Sequence, residues 1–215
     1  MKKNKQVFLI DNPKAFKVQI LHWINQFEVC TFLDNHAYES PYVALDCIAA
    51  ANPSAYISID SVKANDVDHF IQTHNGEWIF AHFNYEYHHI IKTNAKENLT
   101  GFPLAYLYIP SVVIELTGNK ATIQSEHENP QELFEQIQRL DSALTDTSSN
   151  QLKQSTSTVI TPRISKSTYL ENIEKILALI RRGDFYEINY CQAFEVNHLN
   201  AGPINVYTAL MDISP

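Results

Sequence analysis

The chain has 215 residues, 45% of them hydrophobic, enough to bury a core as one large domain or two smaller ones. A net charge of −8 argues against nucleic acid or an anionic membrane as main partner, because both require clustered Lys and Arg. The three cysteines, Cys30, Cys47 and Cys191, are odd in number and lack metal spacing, which reads as free thiols in a reducing compartment.

The N-terminal run MKKNKQVFLIDNP holds too few apolar residues for a signal peptide, and no stretch is long enough to span a membrane. Asp11-Asn12-Pro13 predicts a helix start, with proline at the first helical position and Phe16, Ile20, Trp23, Ile24 and Phe27 on the apolar face. Val29–Leu33 reads as a strand and Asp34-Asn35-His36 as a turn. Pro41 precedes a second strand, YVALDCIAA. Asn52-Pro53 reads as a turn before a third strand at Ala55–Ile59.

Asn65–Thr73 predicts a short helix ended by Asn75-Gly76. EWIFAHFNYEYHHII then alternates as a strand, with His82, Glu86 and His88 on one face. A zinc ion needs ligands converging on one point. At about 3.3 Å per residue these three spread over about 20 Å, so His82 and His88 do not share a metal. LTGFPLAYLYIPSVVIEL is a further apolar stretch. Gly118-Asn119 predicts a hairpin turn into Ala121–Ser125. Asn129-Pro130 opens a helix with Leu133, Phe134, Ile137, Leu140 and Leu144 on its face. None of Gly76, Gly101, Gly118, Gly183 and Gly202 forms GxGxxG or a P-loop, so a nucleotide cradle is not expected.

Residues 145–161, TDTSSNQLKQSTSTVIT, have the composition of a solvated linker. Beyond it Tyr169, Ile173, Ile176, Leu177 and Ile180 recur at helical spacing, and Thr168-Tyr169-Leu170-Glu171 fits a capping box. Arg181 and Arg182 suit the last turn, and Gly183 suits a left-handed helix end. Tyr186, Ile188, Tyr190, Phe194 and Val196 then alternate with polar or small residues as a strand over 185–196. NAGPINVYTALMDISP reads as a loop and a helix.

Periodicity alone gives helix, cap and strand there. The literal residues YLENIEKILALIRRGDFYEINYCQAF go further. They resemble the opening of the chorismate-binding domain in the aminodeoxychorismate synthase component I and anthranilate synthase component I family, where members carry a pattern like GD.YQVNLSQRF. Tyr169, Gly183, Asp184, Tyr186, Asn189, Gln192 and Phe194 match it, with Glu187 for the usual Gln and Ala193 for the usual Arg. Segments 30–53, 77–91 and 99–116 also resemble the family's N-terminal region.

The resemblance implies an α+β fold of largely antiparallel sheets packed with helices, and an N-terminal region over 1–144. The linker 145–161 then leads to the start of a chorismate-binding domain at 162–215. It implies a cytoplasmic protein that aminates chorismate, with magnesium, a glutamine amidotransferase subunit as partner, and p-aminobenzoate and folate as destination. Anthranilate synthase is the alternative within the family, and a non-catalytic tryptophan-binding or scaffold module the alternative outside it. Many members hold tryptophan in the N-terminal region. Their contact positions fall on Asn35, Tyr42, Val43, Ala44 and Leu45, where Asn35 replaces a serine. The motif positions Gly183, Asp184, Tyr186, Asn189 and Gln192 are expected to be structural.

The nucleophilic lysine of the family's PIKGT motif and its later magnesium-binding glutamates have no counterpart here, and no Lys or Arg occurs from Gly183 to Pro215. The sequence therefore reads as an N-terminal portion, inactive alone, with no catalytic residue and no bound metal of its own.

Overall fold

The computed structural model describes residues 3–36, 38, 41–42, 44–60, 64–85, 87, 101–140, 159–196, 199 and 201–213. The chain divides into two compact units, the first running to Leu144 and the second Thr145–Ile213. Among the described residues helices and antiparallel strands are mixed, an α+β architecture.

The first unit contains β1 (Asn4–Leu9), α1 (Pro13–Ile24), β2 (Cys30–Asp34), β3 (Cys47–Ile59) and α2 (Ala64–Thr73). They are followed by β4 (Phe80–Phe83), β5 (Ala105–Thr117), β6 (Lys120–Ser125) and α3 (Pro130–Gln138). One antiparallel sheet has the order β1-β6-β5-β3-β2, with β4 also on β5. Helix α1 starts as its sequence dictates: Asn12 accepts a hydrogen bond from the Ala15 amide at 3.1 Å, with Pro13 next. Phe16, Ile20, Trp23 and Ile24 are buried, whereas Phe27 lies past the helix end, edge-on to Trp23. In α3, Leu133, Phe134 and Ile137 are buried, and Phe134 stacks on Phe8 of β1 at 4.2 Å. Leu144 lies outside the described residues.

The turn expected at Asn52-Pro53 is not a turn. β3 is one strand of 13 residues, equal in length to β5 beside it. Asn52 takes a positive φ of 60°, and the register shifts between Pro53 and Ala55. That is a β-bulge, a kink that leaves pairing intact on both sides. Pro53 faces Pro110, so the two residues without an amide proton meet where the ladder is interrupted anyway. Side chains bridge the break: Ser54 Oγ donates to the Ile109 carbonyl at 3.3 Å, and Lys3 Nζ to the Pro110 carbonyl at 3.0 Å. The kink also re-aims β5. Tyr108 and Val113 would lie on opposite faces of a regular strand, yet both pack in one cluster with Ile48, Ala50 and Phe80. Ala105, Leu107 and Ile109 pack instead with Val67 and Phe70 of α2.

Among the described residues of the predicted strand over 77–91, only β4 is strand. Strands last only as long as their partner, and β5 begins at Ala105 opposite Phe83. The chain then turns at Asn84, whose carbonyl accepts the Tyr87 amide. Glu86 and His88 lie outside the described residues. β1 has no clear period in the sequence, yet it pairs along its whole length with β6.

The second unit contains β7 (Ile160–Pro162), α4 (Lys166–Arg182), β8 (Phe194–Val196) and α5 (Pro203–Ile213). Residues 145–158 of the predicted linker lie outside the described residues, while Ile160 and Thr161 are in β7. The expected capping box at Thr168 is replaced by a cap one turn earlier. Ser165 Oγ accepts the Thr168 amide at 3.1 Å, a closer match for a hydroxyl at the true helix start. Gly183 does end the helix left-handed, at φ 89°. Its amide donates to Ile180 and that of Asp184 to Leu179, the paired bonds of a Schellman motif.

The predicted strand over 185–196 is corrected to Phe194–Val196, paired with Ile160–Pro162. Alternation supplies a face but not a partner, and 185–193 find no ladder. Among the residues of this unit whose burial is described, only Thr208 is buried. Tyr186, Ile188, Phe194, Val196, Leu210 and Ile213 are exposed. Exposed apolar surface of this extent drives association. A chain ending at Leu144 is expected to stay monomeric in size-exclusion chromatography at concentrations where the 215-residue chain associates. A monomeric 215-residue chain with amide protection across 185–196 would contradict this.

Candidate functional site

The family-like motif is built on α4 and the chain that follows it. Tyr190 stacks on Tyr169 with ring centres 5.3 Å apart, and its hydroxyl accepts the Asn172 amide at 2.7 Å. Gln192 Nε2 donates to the Ile164 carbonyl at 3.1 Å. Arg182 holds Asp184 at 2.6 Å, and Arg163 pairs with Glu195. Gly183, Asp184 and Gln192 thus fix the exit of α4. Tyr186 is 98% exposed and Asn189 is exposed, so neither contributes to this packing. Arg163, Lys175 and Arg182 all sit beside carboxylates. Among the described residues no group of three or more His, Cys, Asp or Glu is placed to hold a metal ion.

The connection between β2 and β3 carries the other predicted positions. Its ends are locked by polar bonds. Lys17 Nζ, from α1, reaches Asp34 Oδ1 at 2.5 Å and the Asp46 carbonyl at 3.2 Å. Asp34 also accepts the His36 amide, and Asp46 accepts the Gly118 amide at 2.6 Å. Asn35 donates to Asp46 twice, through its backbone amide at 3.0 Å and its side chain at 3.3 Å. Cys47 is buried next to this group. Desolvation first, then the nearby Asp34 carboxylate, pushes its thiol up to about 12, so it is not a nucleophile at neutral pH. Tyr42 is 94% exposed, Ala44 is exposed and Val43 lies outside the described residues. Leu45 is half-buried against the Ile48, Phe80 and Tyr108 cluster. The structure therefore anchors Asn35 and Leu45, while Tyr42 and Ala44 stand exposed.

A cavity of about 400 Å³ lies nearby on the sheet, lined mainly by Thr31, Ile48, Trp78, Phe80, Tyr106 and Tyr108. Sequence reasoning misses it because its walls come from four strands. The available signal is the i, i+2 aromatic spacing of Trp78 with Phe80, leading into β4, and of Tyr106 with Tyr108 on the neighbouring β5. Tyr108 donates to Thr31 Oγ1 at 2.7 Å, and burial pushes its phenol up to about 12.

Two outcomes follow. Lys17→Met leaves Asp34, only 4% exposed in its side chain, without its cation. It is expected to destabilise the first unit by about 3 kcal/mol in urea unfolding, whereas an unchanged midpoint would mean that the His36 amide suffices. For Tyr108, a raised folded pKa means that stability is intact below the ordinary phenol value, near 10. It falls as pH rises towards about 12, because only the unfolded state has lost the proton. Tyr108→Phe should flatten that alkaline loss by about one proton relative to the parent. Equal slopes in both chains would rule out this role.

A comparison with curated proteins gave no match. The family model described as chorismate binding enzyme matches residues 28–215, beginning just before β2 and running through both units. Matched over most of its length, and carrying the Gly183–Phe194 motif on the exit of α4, the chain belongs to the chorismate-binding enzyme family.

Proposed function

We propose that this sequence is part of an aminodeoxychorismate synthase component I, which aminates chorismate to 4-amino-4-deoxychorismate for p-aminobenzoate and folate supply. The observation that carries the reading is the run GDFYEINYCQAF. Its form is closer to that branch than to anthranilate synthase, and it lies within a family match over 28–215. On this reading the protein works in the cytoplasm with a glutamine amidotransferase subunit and magnesium.

The 215 residues supply scaffold rather than chemistry. Amination requires cations for two substrate carboxylates and acid–base groups for the departing hydroxyl. The segment from Gly183 onwards has no Lys or Arg, and the PIKGT lysine is absent. The purified chain with chorismate, ammonium and magnesium is therefore expected to form no product above a protein-free blank. Chromatography reads the outcome. Anthranilate would favour the alternative branch, and aminodeoxychorismate would overturn the assignment of these residues to scaffold alone.

A second reading is a tryptophan site at Asn35, Tyr42, Val43, Ala44 and Leu45. One observation favours it: Leu45 packs against the cluster that lines the aromatic cavity. Calorimetry with tryptophan is expected to show binding that Asn35→Ala weakens by about 1 kcal/mol, the value of one neutral hydrogen bond. No heat with the parent chain would end this reading, and equal affinity in the variant would move the site away from Asn35.

A further inference from the structure

We draw no further inference here: the strongest candidate, the aromatic-lined cavity between Thr31, Ile48, Trp78, Phe80, Tyr106 and Tyr108 on the β2-β3-β5-β4 surface, is an unpartnered apolar sheet face, and nothing in the structure shows what covers it.

Discussion

The first unit depends on the long antiparallel pairing of β3 with β5. Both strands run for 13 residues, and every other strand of the large sheet attaches to one of them or through β6. The Pro53–Pro110 interruption lets the ribbon bend while keeping hydrogen bonds on either side. One side of β5 is thereby shared between β4, opposite residues 105–108, and β6, opposite 112–117. Lys3 closes the gap from below the kink, its ammonium on the Pro110 carbonyl and 3.5 Å from Glu77.

Two kinds of stabilisation follow from this frame. Apolar burial is concentrated where α1, α2 and α3 meet the sheet. Each fully buried side chain such as Ile20, Leu107 or Ile114 contributes about 1.5–3 kcal/mol. Polar bonds are concentrated at the β2–β3 end, where one lysine and two aspartates would be costly if any partner were missing. The second unit has a well-formed helix with satisfied ends, but its apolar face is only half-buried. Its order rests on local devices: the Ser165 cap, the Gly183 exit, the Tyr169–Tyr190 stack and the short β7–β8 ladder.

For function, the consequence is a separation between framework and chemistry. The motif residues hold the chain as it leaves α4, and Arg163 and Arg182 are engaged with carboxylates. The two aspartates and Cys47 at the β2–β3 end are likewise bound into structure: the carboxylates accept several bonds and the thiol is buried and protonated.

The sequence by itself determined whatever depends on neighbours along the chain. Asn12-Pro13, Asn129-Pro130, Gly118-Asn119 and Gly183 each act within a few residues, through a cap, a fixed φ or a permitted positive φ, and each forms as read. The family was legible for a similar reason, because its motif is one contiguous run. Tertiary structure decided everything that needs a distant partner. Asn52-Pro53 became a bulge because β5 continues opposite it. Among the described residues, the alternation over 77–91 and 185–196 yielded four and three residues of strand, the lengths their partners support. β1, which has no clear period, became a strand because β6 offers it an edge. The aromatic cavity exists only once four strands lie side by side. A backbone hydrogen-bond ladder is a contract between two segments, and one segment's pattern states a preference for a face, not the length or identity of the other.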